Sequence, residues 1–309
     1  MLGWTYSGPF DELPVQNGVE HKIIAWKEVT EKEGTGIVHI APGCGKEDFG
    51  LSKEFGLSVI APLDENGIYI ENFGWFTGKA APEVADYVFE SLEQKGRLYK
   101  LEDYLHRYPV CWRCGKELLF RLVDEWFINM DELRHQIMEV TKKIKWLPEF
   151  GMERELDWLR NMHDWCISKK RYWGLCLPIF YCRKCDHIHV VGSKEELKEK
   201  AVEGWEQFDG KSPHKPHVDN IKIKCEKCGD TINRIPDVGN PWLDAGIVPF
   251  STMHYLTDNE YWKQWYPADF ITECFPGQFR NWFYSLLAMS TVLENHEPYP
   301  GYYGKNIPN

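Results

Sequence analysis

Three C-x-x-C pairs constrain this chain more than any other feature: Cys111/Cys114, Cys182/Cys185 and Cys225/Cys228. Two facing knuckles of this kind supply four thiolates in a tetrahedron, the geometry of a structural zinc site. The second and third pairs each follow an apolar, strand-like run, PIFYC (178–182) and IKIKC (221–225), and Gly229 relieves the turn of the third. Residues 186–224 separate these two knuckles. That exceeds the usual ribbon spacing of about 15–20 residues. A short charged helix and a Pro/His-rich loop, KSPHKPH, within 193–217 therefore read as an insertion between them. Cys182, Cys185, Cys225 and Cys228 are expected to hold one zinc. Cys111 and Cys114 have no partner pair left in the sequence; they are either a second metal half-site or a knuckle without metal. The single cysteines Cys44, Cys166, Cys176 and Cys274 are expected to be buried apolar thiols.

The rest of the composition fits such a reading. The chain has 309 residues, 43% hydrophobic and 27% charged, so it can bury a core, and general disorder is excluded. The length suits about two domains. The net charge of −11 disfavours a protein that grips nucleic acid with its whole surface. No apolar run approaches the roughly 20 residues that span a bilayer. The start, MLGWTYSGPFDELP, has no basic stretch followed by an apolar one, so no secretory signal is read. A cytoplasmic protein without a membrane partner is the expectation.

Strands and helices alternate along the first hundred residues. GIVHI (36–40) and LSVIAPL (57–63) read as strands, with a helix closed by Gly56 between them and a turn at DENG (64–67). Pro82, then Val84, Val88 and Leu92 on one face, then Gly96, mark a further helix. Helices are expected over 131–143 and 153–166, and 279–294 is apolar nearly all round, as a buried helix should be. The overall class is α/β.

Residues 34–48, GTGIVHIAPGCGKED, join a strand to a helix through a Gly/Pro-rich loop. Gly34, Gly36, Gly43 and Gly45 let backbone approach a ligand closely. Taken alone, His39 reads first as a satisfied core histidine and Asp48 as a helix-start carboxylate. The whole string resembles the pattern GTG-x-V-H-x-A-P-G-x-G-x-x-D of the isoleucyl-tRNA synthetase family, within the isoleucyl/valyl/leucyl group of class I. DWCISKKRYWGLCLPIF (164–180) is similar to that group's D-W-x-I-S-R-Q-R-x-W-G-x-P-I-P, with Lys169-Lys170 in place of Arg-Gln. PWLDAG (241–246) resembles V-W-F-D-S-G, and QFRNWFYSLL (278–287) resembles Q-x-R-G-W-F-Y-x-L-L. HRYPVCWRCGKELLFRLVDEWFI (106–128) continues the likeness in collinear order.

The resemblance implies four parts: the C-terminal part of an editing domain (1–105), a connecting segment with a knuckle (106–177), a zinc-knuckle insertion (178–232) and the second half of a Rossmann-type catalytic domain (233–309). It implies that Asp48 binds the ammonium of a misacylated amino acid, and that His39, with Thr35 and Gly36, shapes a pocket admitting valine. One methylene discriminates too weakly for binding alone, so a second, smaller sieve is needed; isoleucyl enzymes are the standing illustration. At the synthetic site it implies Trp242 as a wall of the isoleucine pocket, Glu273 as the ammonium partner and Gln278 as a matching motif position. Gly277 stands where the family has the ribose-binding Asp, and Glu273 lies one position further from Gln278 than the family's acid. The implied partners are tRNA(Ile), isoleucine and ATP with magnesium, and the implied full-length protein is a monomer. The H-I-G-H and K-M-S-K-S strings are not in the sequence, nor is the threonine-rich strip of the editing pocket. The expectation is thus an internal piece of a longer synthetase, inactive in amino-acid activation by itself. The rivals are a stand-alone trans-editing hydrolase, a valyl- or leucyl-type fragment, and a zinc-knuckle RNA-binding module. The last predicts a basic stripe with exposed aromatics.

Overall fold

The computed structural model describes the chain except residues 32–34, 104, 295–300 and 306–309, and gives the backbone alone for 301–305. It is a mixed α/β protein in two compact units, 1–124 and 125–309.

The first unit is sparse in regular structure. Helix α1 (Lys46–Phe55) ends at Gly56, whose left-handed φ of 64° closes it as the sequence predicts. Helix α2 (Ala85–Gln94) follows a short 3-10 turn at Ala81–Glu83. The DENG turn forms because the Asp64 carboxylate accepts the N–H groups of Asn66 (2.8 Å) and Ile68 (3.0 Å). A small core gathers Leu13, Phe73, Phe76 and Val84. The two strands expected here do not form. Residues 37–40 have no regular structure and form no strand pairing among the described residues, and 57–63 contributes one bridge, Leu63 to Tyr69. A strand exists through its neighbour's hydrogen bonds. Without one, the β-branched run leaves Ile37 69% and Val38 47% exposed.

The second unit begins with β1 (Phe127–Ile128), α3 (Asp131–Lys142), β2 (Lys145–Leu147) and α4 (Phe150–Asn161). The helix expected over 153–166 stops at Asn161: Met162 turns to extended backbone, and Trp165–Cys166 is strand β3, antiparallel to β1. The Asp164 carboxylate accepts the Met130 N–H at 3.1 Å and fixes that turn. Strands β4 (Ser168–Lys169) and β5 (Gly174–Leu175) lead to β6 (Ile179–Cys182) and β7 (His187–Val190), an antiparallel hairpin. Helix α5 (Lys194–Lys200) starts where the Ser193 hydroxyl accepts the Glu196 N–H and the Glu196 carboxylate accepts the Gly192 N–H. Strand β8 (Ala201–Glu203), helix α6 (Trp205–Phe208), strand β9 (His214–Lys215), and β10 (Lys222–Lys224) with β11 (Thr231–Asn233) complete this part. Its own core holds Phe180, Phe208, Ile221 and Ile223, all essentially without solvent exposure.

Strand β12 (Val238–Gly239), helices α7 (Pro241–Ser251) and α8 (Asn259–Trp262), strand β13 (Ile271–Cys274), helix α9 (Trp282–Glu294) and strand β14 (Gly301–Lys305) follow. The sheet order is β13-β14-β2, with both pairings parallel. Parallel neighbours need a crossover, and α9 supplies it between β13 and β14. The expected helix at 279–294 is buried as predicted but begins at Trp282, after a 3-10 turn at Gly277–Arg280. Ile137, Leu159, Phe283 and Leu287 are fully buried around it.

Two features of this core give expected outcomes. A Cβ on Gly246 of α7 would lie 2.6 Å from the Ser285 carbonyl oxygen of α9. Alanine gains about 1 kcal/mol of helix propensity over glycine. Forcing the helices apart costs about 1–3 kcal/mol. Gly246→Ala should therefore lower the urea midpoint; an unchanged or raised midpoint would contradict this close contact.

Glu155 of α4 is wholly buried, and neither carboxylate oxygen has a hydrogen-bond partner. Burial pushes its carboxyl well above the usual range, and the phenol of Tyr284 is likewise raised, first by its own burial and then by Glu155. The folded state thus keeps a proton that the unfolded state releases. This group's contribution is present below the ordinary glutamate value and is lost as pH rises from there to the raised folded value, at about 1.4 kcal/mol per pH unit. Glu155→Gln should remove that slope. Stability measured at pH 5 and pH 8 should favour the variant at the higher pH; a difference independent of pH would refute it.

Candidate functional site

The three knuckles share one backbone design. In the third, the Cys225 N–H donates to the Asp230 carbonyl and the Gly229 N–H to the Cys225 carbonyl, both at 2.8 Å. In the first, the Cys111 N–H donates to the Lys116 carbonyl and the Gly115 N–H to the Cys111 carbonyl, again at 2.8 Å. In the second, Cys182 pairs with His187 across the β6–β7 hairpin. The residue after each second cysteine is left-handed: Gly115 (φ 70°), Asp186 (54°) and Gly229 (73°). Glycine suits that conformation; the Asp186 carboxylate is held there by the Tyr181 hydroxyl at 2.6 Å.

Two of the knuckles meet. Cys182 Sγ lies 3.5 Å from Cys228 Sγ, and Cys185 Sγ lies 3.6 Å from Cys225 Sγ. Zinc–sulfur bonds of about 2.3 Å give tetrahedron edges of roughly 3.8 Å. The four sulfurs therefore fit one zinc ion with little movement. Cys182 and Cys225 are buried, the other two half-buried. The thiols are also electrostatically unequal. Hydrogen bonding, first from His189, pulls Cys225 down to about 5, whereas desolvation first pushes Cys185 up to about 12. A divalent cation would let all four ionise.

Cys111 and Cys114 form a knuckle of the same kind with no further thiol pair beside it among the described residues. The Cys114 N–H, foremost, lowers the Cys111 thiol. Of the single cysteines, Cys44 is exposed, and Cys166, Cys176 and Cys274 are half-buried, so none is the fully buried thiol expected. Cys44 sits in the turn that precedes α1, outside any core.

The 34–48 segment borders a concavity of ≈ 1050 Å³ in the first unit. Gly36, Ile37, Val38 and His39 line it, with Trp26 and Tyr69 on other walls. His39 is exposed in that loop rather than lying on a strand. Thr35 is exposed, with its hydroxyl turned to the backbone of Ile37. Asp48 is half-buried in the first turn of α1, and its Oδ2 accepts the Ala41 N–H at 2.9 Å. It thus clamps the 41–45 loop and leaves its own helix uncapped, since Gly45 is the N-cap. The expected closeness of a ligand to Gly43 is a closeness to the chain itself: a Cβ there would fall 1.6 Å from the Ile60 carbonyl oxygen. Gly34 lies outside the described residues.

At the parallel sheet, Glu273 lies near the end of β13, with its Oε2 accepting the Cys274 N–H at 2.9 Å. Gln278 lies in the following 3-10 turn, and its Oε1 accepts the Trp282 N–H at 3.1 Å, so it caps α9. Trp242 is half-buried in the first turn of α7, whose N-cap Asn240 accepts the Trp242 N–H. The sequence reading overlooked two groups: His187, His189 and Glu226 beside the cysteine tetrad, and the buried Arg234, which pairs with Asp219 and donates to the Asp237 carbonyl. An H-x-H alternation just past the second knuckle was the available signal for the first.

Residues 16–307 match the family described as tRNA synthetases class I (I, L, M and V). Isoleucine–tRNA ligase of Methanothermobacter thermautotrophicus is 40% identical over 96% of this chain and 28% of its own length. That of Archaeoglobus fulgidus is 39% identical over the same shares. The chain thus spans a little over a quarter of these relatives. A LeuRS–tRNA–LeuAMS ternary complex from Agrobacterium radiobacter aligns over 90% of this chain and 28% of that one, at 16% identity and a TM-score of 0.34. On the match along nearly its whole length, the chain belongs to the class I tRNA synthetase family.

Proposed function

We propose that this chain is one part of an isoleucine–tRNA ligase, which charges tRNA(Ile) with isoleucine using ATP and magnesium and hydrolyses misacylated valyl-tRNA(Ile). The observation that carries the reading is the family match along residues 16–307, in line with relatives named isoleucine–tRNA ligase. The four parts are an editing portion (1–105), a connecting segment (106–177), a zinc-knuckle insertion (178–232) and half of a Rossmann-type catalytic domain (233–309). The β13–α9–β14 crossover supports the last of these. Open α/β sheets take ligands beyond the carboxyl ends of their strands. Glu273 stands at such an end, which supports its pairing with the isoleucine ammonium, with Trp242 as a pocket wall. Gln278 serves that site by fixing the start of α9.

In the editing portion, Gly36 and His39 on the concavity support a valine pocket, bordered by Thr35. Asp48 holds the loop behind it and supplies the carboxylate for the substrate ammonium. Zinc at the cysteine tetrad is structural. Cys111 and Cys114 are half of a second site, completed by ligands from elsewhere. The complete ligase works as a monomer in the cytoplasm.

The test is to assay the complete gene product for isoleucine-dependent ATP–pyrophosphate exchange and for deacylation of valyl-tRNA(Ile). Both are expected, with no exchange from the 309-residue chain alone. Exchange with leucine or valine instead of isoleucine would assign it to those branches. Deacylation without any exchange would make it a stand-alone hydrolase.

A further inference from the structure

Beside the cysteine tetrad, His187 and His189 project from the same face of β7, as residues two apart on a strand do. Glu226 reaches them from the third knuckle. One ligand atom from each of the three lies within 4.8 Å of the others. The two imidazoles meet edge to face at 4.4 Å between ring centres. His189 Nδ1 faces Glu226 Oε2 at 3.9 Å. The other carboxylate oxygen, Oε1, pairs with Lys200 at 2.5 Å, and Lys200 pairs in turn with Glu196 at 3.3 Å. Glu226 is therefore held in place while Oε2 stays turned toward the histidines.

From this geometry we infer a second metal site, in which His187, His189 and Glu226 bind a zinc-like divalent cation. Two imidazoles and a carboxylate suit zinc or another late first-row ion, and leave a position for water on the exposed Glu226 side. A zinc held by four thiolates carries a net charge of −2. A second cation next to Cys225 offsets that charge where partial burial strengthens the attraction. Binding at Nδ1 places the His189 ring proton on Nε2. The long 3.4 Å contact from the Glu226 N–H to Nε2 is given up. The site differs from the tetrad in ligand chemistry and in exposure, so it should exchange its ion more readily.

The experiment uses the full 309-residue chain carrying Cys111→Ser and Cys114→Ser, so that this half-site takes no metal. Protein loaded with one zinc equivalent is titrated calorimetrically with zinc ion. A second saturable equivalent is expected. His187→Gln and Glu226→Gln should each weaken it by about tenfold or more while the first equivalent is retained, since loss of a ligand costs at least what loss of a supporting contact does. Glu226 is exposed and its ion pair with Lys200 lies at the surface, where such pairs contribute little to stability, so that variant decides the matter if His187→Gln fails to fold. Absence of a second saturable equivalent, or one that Glu226→Gln weakens less than tenfold, overturns the assignment. Loss of the first equivalent along with the second would make these side chains supports of the tetrad rather than ligands of a second ion, and would equally overturn the assignment.

Discussion

Cys225→Ser is expected to strip the chain of the zinc proposed for the tetrad and to unfold residues 178–232. A hydroxyl is a far poorer ligand than a thiolate, and three cysteines do not close a tetrahedral site. The β6–β7 hairpin and the β8–β10–β11 sheet are short, and their common core includes Cys182 and Cys225 themselves. Structural zinc binding is worth about 10–16 kcal/mol in small knuckle domains and is folding free energy there. Few small cores survive such a loss. Hydrogen exchange should therefore show collapse of protection in β6, β7 and β10, while α3 and α9, packed in a separate core, keep theirs. Chelator treatment of the parent should give the same pattern. Full protection of β6 and β10 in metal-free protein would sink the assignment of zinc to the tetrad.

The second large effect concerns Asp48. In the proposed complete ligase, Asp48→Asn should slow deacylation of valyl-tRNA(Ile) roughly ten- to a hundredfold, because a charge-assisted contact is worth about 1.5–3 kcal/mol. The substitution is chosen for the loop. Asparagine keeps an oxygen for the Ala41 N–H, so the 41–45 clamp persists and only the charge is lost. Asp48→Ala removes both and should abolish editing. Isoleucine activation should change little in either variant. An Asn variant that edits within about twofold of the parent would leave Asp48 as a loop clamp alone, since a lost charged contact costs far more.

Much of the fold was legible where local signals suffice. The helix of Val84, Val88 and Leu92 and the closure of α1 by Gly56 needed only periodicity and a left-handed glycine. The buried character of α9 followed from its uniform apolarity. The cysteine tetrad was legible because the spacing of each pair dictates its own turn. Residues 36–40 misled for the opposite reason: their composition suits a strand, but strand formation depends on a neighbour that no local pattern reveals. The helix expected to reach 166 failed through a tertiary contact, Asp164 with the Met130 N–H. The His187–His189–Glu226 group was hidden because its members come from two knuckles whose meeting only the folded chain brings about.

The contact between Gly246 and the Ser285 carbonyl has a consequence beyond stability. Trp242 and Gly246 are four residues apart and so share one stripe of α7. The absent side chain at 246 sets how deeply α7 beds against α9, and with it where α7 carries the indole of Trp242. Position 246 is therefore a ruler for the proposed amino-acid pocket. A bulkier residue there would act on which side chains are accepted, moving discrimination between isoleucine and its smaller or larger rivals without touching any substrate atom.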